Sequence, residues 1–163
     1  MSMHLWQASL RGGRRNKFMK NIFVYGTLLF PEILERLTGK TFESKEAYLN
    51  DFKRYQIFDD NISRKYPAII ESKGSKVEGK IVFDLDQESL NILDFFEDEK
   101  YEPKILKAYS QSGEEYQVLV YVWKDEFKDM LKGDWDIGYF KDNYLSIYLN
   151  EIIPRVLGEY KNM

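Results

Sequence analysis

The sequence predicts an α+β fold in one domain, on three observations. Short β-rich apolar runs alternate with segments of helical spacing. The chain has 163 residues, the length of one ordinary domain. Aromatic residues are abundant, with twelve Tyr, eleven Phe and three Trp, which favours a compact, strand-rich core. Hydrophobic residues make up 44% and charged residues 31%, close to globular averages, so collagen-like, fibrous and fully disordered classes are excluded. No apolar run approaches the ~18–20 residues that a membrane-spanning helix needs.

Each element has a local reason. Ile22-Phe23-Val24-Tyr25 is a short apolar run ended by Gly26-Thr27, so it reads as a buried strand entering a tight loop, with the ordered body starting at Asn21. Pro31 suits a helix start; Ile33, Leu34 and Leu37 have helical spacing, and Gly39 is the stop. Alternation over Ala47–Ile57 predicts a strand, weakened by Lys53-Arg54. Residues 59–65 are polar and read as a loop, and Pro67–Ile70 as a short apolar strand. Lys73-Gly74-Ser75 reads as a turn. Val77, Gly79, Ile81, Phe83 and Leu85 then alternate as a half-buried strand, with Gly79 where another backbone can approach.

Asp86 is placed to cap a helix running to about Phe96, with Ser89, Leu90, Leu93 and Glu97 in register. Residues 104–109 and 115–123 flank Ser112-Gly113 and read as a hairpin. Its second arm, Val118–Trp123, is apolar on both faces and should be central. Gly133–Gly138 reads as a loop, and 140–152 as a closing helix with Tyr144, Ile147 and Tyr148 on one face.

Residues 1–20 hold Arg11, Arg14, Arg15, Lys17 and Lys20 and no acid. Residues 21–163 then carry 19 bases against 27 acids, a net of −8. An acidic body argues against a nucleic-acid partner, because phosphate binding needs a basic patch. The basic stretch is compatible with a nucleic-acid arm or a transit peptide, and it lacks the apolar core of a secretory signal. The favoured expectation is a disordered tail over 1–18, with one domain over 19–163. Deleting 1–18 should therefore leave the melting temperature nearly unchanged; a fall of many degrees in a thermal melt would show that the segment packs into the fold, since each kcal/mol moves a domain of this size by roughly 2–4 °C.

The missing residues restrict the chemistry. There is no Cys, so thiolate nucleophiles, disulfides and thiolate zinc sites are excluded, and the single His is His4. A Ser-His-Asp triad or an HExxH site has no histidine inside the fold to use. Neither GxxxxGK[ST] nor GxGxxG occurs. Carboxylates, Tyr, Lys, hydroxyls and backbone N–H groups remain.

Three clusters stand out: Tyr25-Gly26-Thr27-Leu28, Tyr66-Pro67-Ala68-Ile69-Ile70, and Leu93-Asp94-Phe95-Phe96-Glu97 with Tyr101 beyond it. The third is the unusual one. An acid at a helix C-terminus is disfavoured by the helix dipole. Phe95 and Phe96 suggest apolar surroundings, which favour the protonated carboxyl, and Asp94 is an i,i+3 neighbour whose charge reinforces the effect. A carboxyl moved toward neutrality suits a general acid/base. A surface acid on a strained helix end is the alternative.

Together these residues carry a resemblance. Phe23-Val24-Tyr25-Gly26-Thr27-Leu28 followed by Pro31-Glu32-Ile33-Leu34-Glu35-Arg36 resembles the opening motif of the gamma-glutamylcyclotransferase-like family, nearest to the branch named after plant avirulence-induced proteins. Tyr66–Ile70, Val77-Glu78-Gly79, Leu93–Tyr101 and Tyr121-Val122-Trp123 follow in that family's order, so the likeness covers roughly 21–125. The resemblance implies a small mixed β-barrel flanked by helices. It implies that the loop Tyr25, Gly26, Thr27, Leu28, Leu29, Phe30 lies over a cavity and holds the glutamyl end of a small gamma-glutamyl substrate. It further implies Glu97 as acid/base, with Tyr101 and Tyr121 lining the pocket. One residue departs from the pattern: Asp98 stands where the family usually has Gly, which alters the local turn and adds a charge beside Glu97. The expected activity is cyclisation of a gamma-glutamyl amine or peptide to 5-oxoproline, in the cytoplasm, with no cofactor, metal, nucleic acid or membrane partner. The alternative is a non-catalytic ligand-binding or interaction module on the same barrel. Oligomeric state and leaving amine are not specified by the sequence.

Overall fold

A computed structural model describes residues 19–163, so the expectation for 1–18 lies outside the described residues. Six strands form one sheet: β1 (Lys20–Val24), β2 (Ser44–Asp59), β3 (Ile62–Leu85), β4 (Tyr101–Ser110), β5 (Glu115–Trp123) and the short β6 (Leu131–Lys132). The first five run in the order β3-β1-β5-β4-β2, and β2 pairs back to β3, closing a barrel. All of its pairings are antiparallel except β1 with β5, so the barrel is mixed, and β6 adds to β2 outside the closure. Closure leaves none of the five strands as an open edge. Helices α1 (Pro31–Thr38) and α2 (Gln87–Phe96) and a C-terminal helical segment flank it.

Two cores explain the apolar runs. Phe23, Tyr25, Val118, Val120 and Val122 point into the barrel with Leu49, Ile69 and Ile81. Ile22, Val24 and Leu119 point outward beneath Ile33, Leu34, Leu37, Leu90 and Leu93 of the helices. β1 and the second half of β5 are thus buried on both faces, and β5 is central, between β1 and β4. α2 starts as its sequence predicts, with Asp86 Oδ1 accepting the Ser89 N–H at 3.2 Å. Gly79 lies where the backbone of β1 comes closest: a Cβ there would stand 2.2 Å from the Val24 carbonyl oxygen and 2.8 Å from Phe23 Cζ.

Several sequence expectations need correction. The two strands expected at 67–70 and 77–85 are one, β3, and residues 62–65 of the expected loop also belong to it. Only Asp60 and Asn61 turn, both at positive φ (52° and 66°). Asp60 to Ser63 are exposed at the ribbon tip and Arg64 and Lys65 only half buried, so burial selects no apolar side chains over most of this stretch. Lys73-Gly74-Ser75 does not reverse the chain. Residues 72–75 bulge opposite the single residue Asp51, whose carboxylate accepts the Gly74 N–H at 2.9 Å. That bulge and a second register shift between Gln56 and Phe58 change which parity of β2 faces inward, from Ala47 and Leu49 to Phe52 and then Ile57.

The C-terminal segment also differs. The 133–138 loop ends early, because α3 (Ile137–Asn143) starts within it. The single helix expected over 140–152 is interrupted at Tyr144 and extends to Lys161, as α4 (Leu145–Ile147), a π turn (Tyr148–Ile152) and α5 (Ile153–Lys161). Pro154 has no N–H and its ring crowds the carbonyl four residues back, so the chain widens just before it, with Ile153 N–H bonded to Tyr148 O. The face assignment shifts accordingly: Tyr148 is buried, while Ile147 is exposed.

Candidate active site

The described residues enclose a cavity of about 570 Å³ where β1, the ribbon of β2 and β3, α2 and the C-terminal helices meet. Its wall includes Tyr25, Gly26, Thr27, Leu28, Glu97, Tyr101 and Tyr121, residues brought together from across the sequence. Leu29 and Phe30 are not part of this wall; both pack into the helical core, Phe30 against Phe140 at 5.5 Å between ring centres. Tyr66, Arg64, Tyr148 and Arg155 also line the cavity and have no role assigned from the sequence, and Asp98, expected to add a charge beside Glu97, lines it too. Tyr66 lay in a recognised motif beside the polar stretch that hid Arg64.

The loop after β1 is shaped by its neighbours. Gly26 is buried against Pro67, and a Cβ would stand 2.7 Å from the proline Cδ, so the close packing of loop on ribbon requires glycine. Residues Thr27–Leu29 then form one 3-10 turn, closed by Leu29 N–H to Gly26 O at 2.9 Å. The first amides of such a turn have no acceptor within it. Arg54, the residue that weakens the strand pattern of β2, donates from Nη1 to Tyr25 O at 2.9 Å and stacks over Trp135 at 5.4 Å, which anchors the loop from outside the cavity.

The tyrosines form a fixed wall. Tyr25 donates to the Tyr121 carbonyl at 2.6 Å, Tyr121 to Asp94 Oδ1 at 3.1 Å, and Tyr101 to the Pro67 carbonyl. Burial pushes all three hydroxyls well above the usual tyrosine range, so they remain protonated. Glu97 behaves in the opposite sense. It ends α2, where its own N–H bonds to Leu93 O at 3.0 Å and its backbone has already turned extended. Burial raises its carboxyl to about 8, helped by the charges of Asp94 and Asp98. This is the combination of apolar helix end and i,i+3 acid that the sequence suggested. Among the described residues no hydrogen bond fixes the Glu97 carboxyl. The cavity therefore presents one carboxyl that exchanges protons near neutrality, inside a wall of tyrosines that do not. No three His, Asp or Glu side chains among the described residues are grouped so as to hold a metal ion. No helix among them is long and apolar enough to cross a membrane.

Known proteins match most of the described chain. The family described as gamma-glutamyl cyclotransferase, AIG2-like, matches residues 22–137. AIG2-like protein D of Arabidopsis thaliana is 35% identical over 133 residues, covering 80% of this chain and 85% of that protein. A solution structure from Arabidopsis thaliana superposes with a TM-score of 0.63 at 26% identity, covering 83% of this chain and 89% of that one. A structure titled gamma-glutamyl cyclotransferase shares the fold, with a TM-score of 0.58 at 22% identity over 85% of this chain and 86% of that one.

Proposed function

The chain belongs to the gamma-glutamyl cyclotransferase, AIG2-like family, and on that premise we propose that it cyclises gamma-glutamyl amines or peptides to 5-oxoproline, with Glu97 as the general acid/base. One observation carries the reading: the carboxyl poised at about 8 shares a cavity with the Gly26–Leu28 loop. A cavity of about 570 Å³ holds a gamma-glutamyl head with room for an amine beyond it.

The reaction needs little else. Ionised Glu97 takes a proton from the substrate α-ammonium. The freed amine attacks its own γ-carbonyl carbon, forming the ring C–N bond and a tetrahedral oxyanion. Collapse breaks the bond to the leaving nitrogen, which receives the proton back from Glu97; the re-ionised Glu97 then takes the second proton from the ring nitrogen and passes it to the amine, which departs protonated. Products are 5-oxoproline and the free amine, and no water is consumed. Nucleophile and electrophile are tethered through three carbons, so holding the chain bent supplies much of the rate. Backbone N–H groups of the 26–28 loop are suited to the α-carboxylate or the oxyanion. Tyr25, Tyr101 and Tyr121 shape the pocket; with hydroxyls pushed up by burial they are poor bases near neutral pH.

The pH dependence tests this. A base must be ionised to act, so kcat/KM for 5-oxoproline release should rise with pH and level off above about 8, where the Glu97 carboxyl has lost its proton. A profile already flat from pH 5 upward would remove Glu97 from that role.

A further inference from the structure

Asp98 directly follows Glu97 and uses both carboxylate oxygens. Oδ1 accepts the Lys100 N–H at 2.8 Å, which fixes the turn between α2 and β4. Oδ2 accepts the Tyr66 hydroxyl at 2.8 Å, a contact that crosses the cavity rim to β3. From Tyr66 the chain of contacts continues up the ribbon: Arg64 Nη1 reaches Tyr66 Oη at 3.4 Å, and Arg64 Nη2 pairs with Asp59 Oδ2 at 2.6 Å. The outer end of the ribbon is thinly covered, since Ile62 and Ser63 are exposed and Arg64 to Tyr66 only half buried, with Tyr66 packed at the edge of the cluster of Ile57, Tyr101 and Trp123. Tyr66 is therefore its side-chain hold on the Glu97 side, aided by the Tyr101 ring at 6.3 Å, while Trp135 Nε1 holds the opposite side through Lys65 O at 3.1 Å.

We propose that Asp98 is a positioning residue: through Tyr66 it latches the β2–β3 ribbon to the Glu97 turn, closing the cavity rim over the substrate, and it holds a fixed charge beside the Glu97 carboxyl. The substrate half of this and the KM test of the latch rest on the cyclotransferase reading; the charge does not. Glu97 is faced by Asp94 from α2, Asp98 from the turn, Tyr25 from the start of the loop after β1, Tyr101 from β4, Tyr121 from β5 and Tyr148 from the π turn. Arg64, Lys65, Glu99, Lys100 and Arg155 line the same cavity. The tyrosines are neutral across the working range, so Asp94 and Asp98 are the carboxylates that oppose ionisation of Glu97.

Three variants separate charge from latch. Asp98→Asn can keep both contacts, because the Tyr66 hydroxyl can reverse and accept from the amide, but it drops the charge. Tyr66→Phe breaks the latch and keeps the charge. Asp98→Ala loses both. Asp98→Asn should move the rise of kcat/KM down by about 0.5–1 pH unit, with KM little changed. Tyr66→Phe should leave the position of that rise unchanged and increase KM about five-fold, as expected for one lost hydrogen bond. Asp98→Ala should show both effects. The ¹³C titration of the Glu97 carboxyl, its signal identified by disappearance in Glu97→Gln, reads the charge effect without turnover. If the wild type releases no 5-oxoproline and the titration still moves in Asp98→Asn, the charge assignment stands and the cyclotransferase reading falls. A Glu97 titration unmoved in Asp98→Asn overturns the charge assignment, and an unchanged KM in Tyr66→Phe overturns the latch.

Discussion

Glu97→Gln is expected to lower 5-oxoproline release by about 10²–10⁴-fold, the usual worth of a positioned acid/base, in a protein that stays folded. Glutamine keeps the size and hydrogen-bonding capacity of the side chain and removes only the exchangeable proton. The same substitution should raise stability, and the sign follows from linkage. The folded-state value of about 8 lies above the ordinary 4.5, so the folded protein binds more protons than the unfolded chain between those limits. Glu97 therefore costs nothing below about pH 4.5, becomes progressively destabilising up to about 8, and reaches its full cost above that. At roughly 1.4 kcal/mol for each pKa unit the full cost is of order a few kcal/mol. Melting curves should show Glu97→Gln gaining on the wild type from pH 5 to pH 8 and the difference then levelling. Asp94→Asn should do less damage to turnover, since Asp94 acts on Glu97 through its charge and can still accept from Tyr121 as an amide. Full activity in Glu97→Gln would refute the proposed mechanism.

Gly79→Ala is expected to have the largest effect on stability. The new methyl would stand 2.2 Å from the Val24 carbonyl oxygen and 2.8 Å from Phe23 Cζ, and the nearer atom is backbone held in the β1–β3 ladder. Neither strand can retreat without breaking the barrel seam, so the cost should reach or exceed the ~3 kcal/mol at the upper end of core overpacking. For a domain of this size that lowers the melting temperature by roughly 6–12 °C. The strain falls on Val24, immediately before Tyr25 and Gly26, so turnover should drop as well. A melting temperature within 2 °C of wild type would show that β1 and β3 separate more easily than their packing implies.

The elements legible in the sequence are those with one consistent physical demand. β1 and β5 are buried on both faces, so their runs are apolar without interruption. Asp86 caps α2, and Gly79 marks the close approach of β1. At the site, Glu97 is conspicuous because a carboxyl after two phenylalanines and an aspartate three residues earlier conflicts with its own helix end, and conflict at a local level often marks function. The rest was hidden by competing demands. In β2 and β3 the bulge opposite Asp51 and the shift at Gln56 change the inward parity, so alternation breaks up into short pieces. Arg54 reads as a surface residue, yet it is turned inward to hold the Tyr25 carbonyl. Arg64 lies on the half-buried outer part of the ribbon and Tyr66 at the edge of the cluster around Ile57 and Tyr101, so the polar run before them resembles a loop. Tyr148 enters the cavity from a π turn that Pro154 induces, which helical spacing alone does not describe.

The central claim is that this cavity converts a gamma-glutamyl compound to 5-oxoproline. The most direct measurement is release of 5-oxoproline by the wild-type chain over a panel of gamma-glutamyl amines, gamma-glutamyl dipeptides and glutathione, quantified together with the free amine. The account predicts that at least one member yields 5-oxoproline and amine in equal amounts, at a rate that rises toward pH 8. Binding of panel members to the folded protein with no 5-oxoproline formed at any pH would contradict it and identify the barrel as a ligand-binding module.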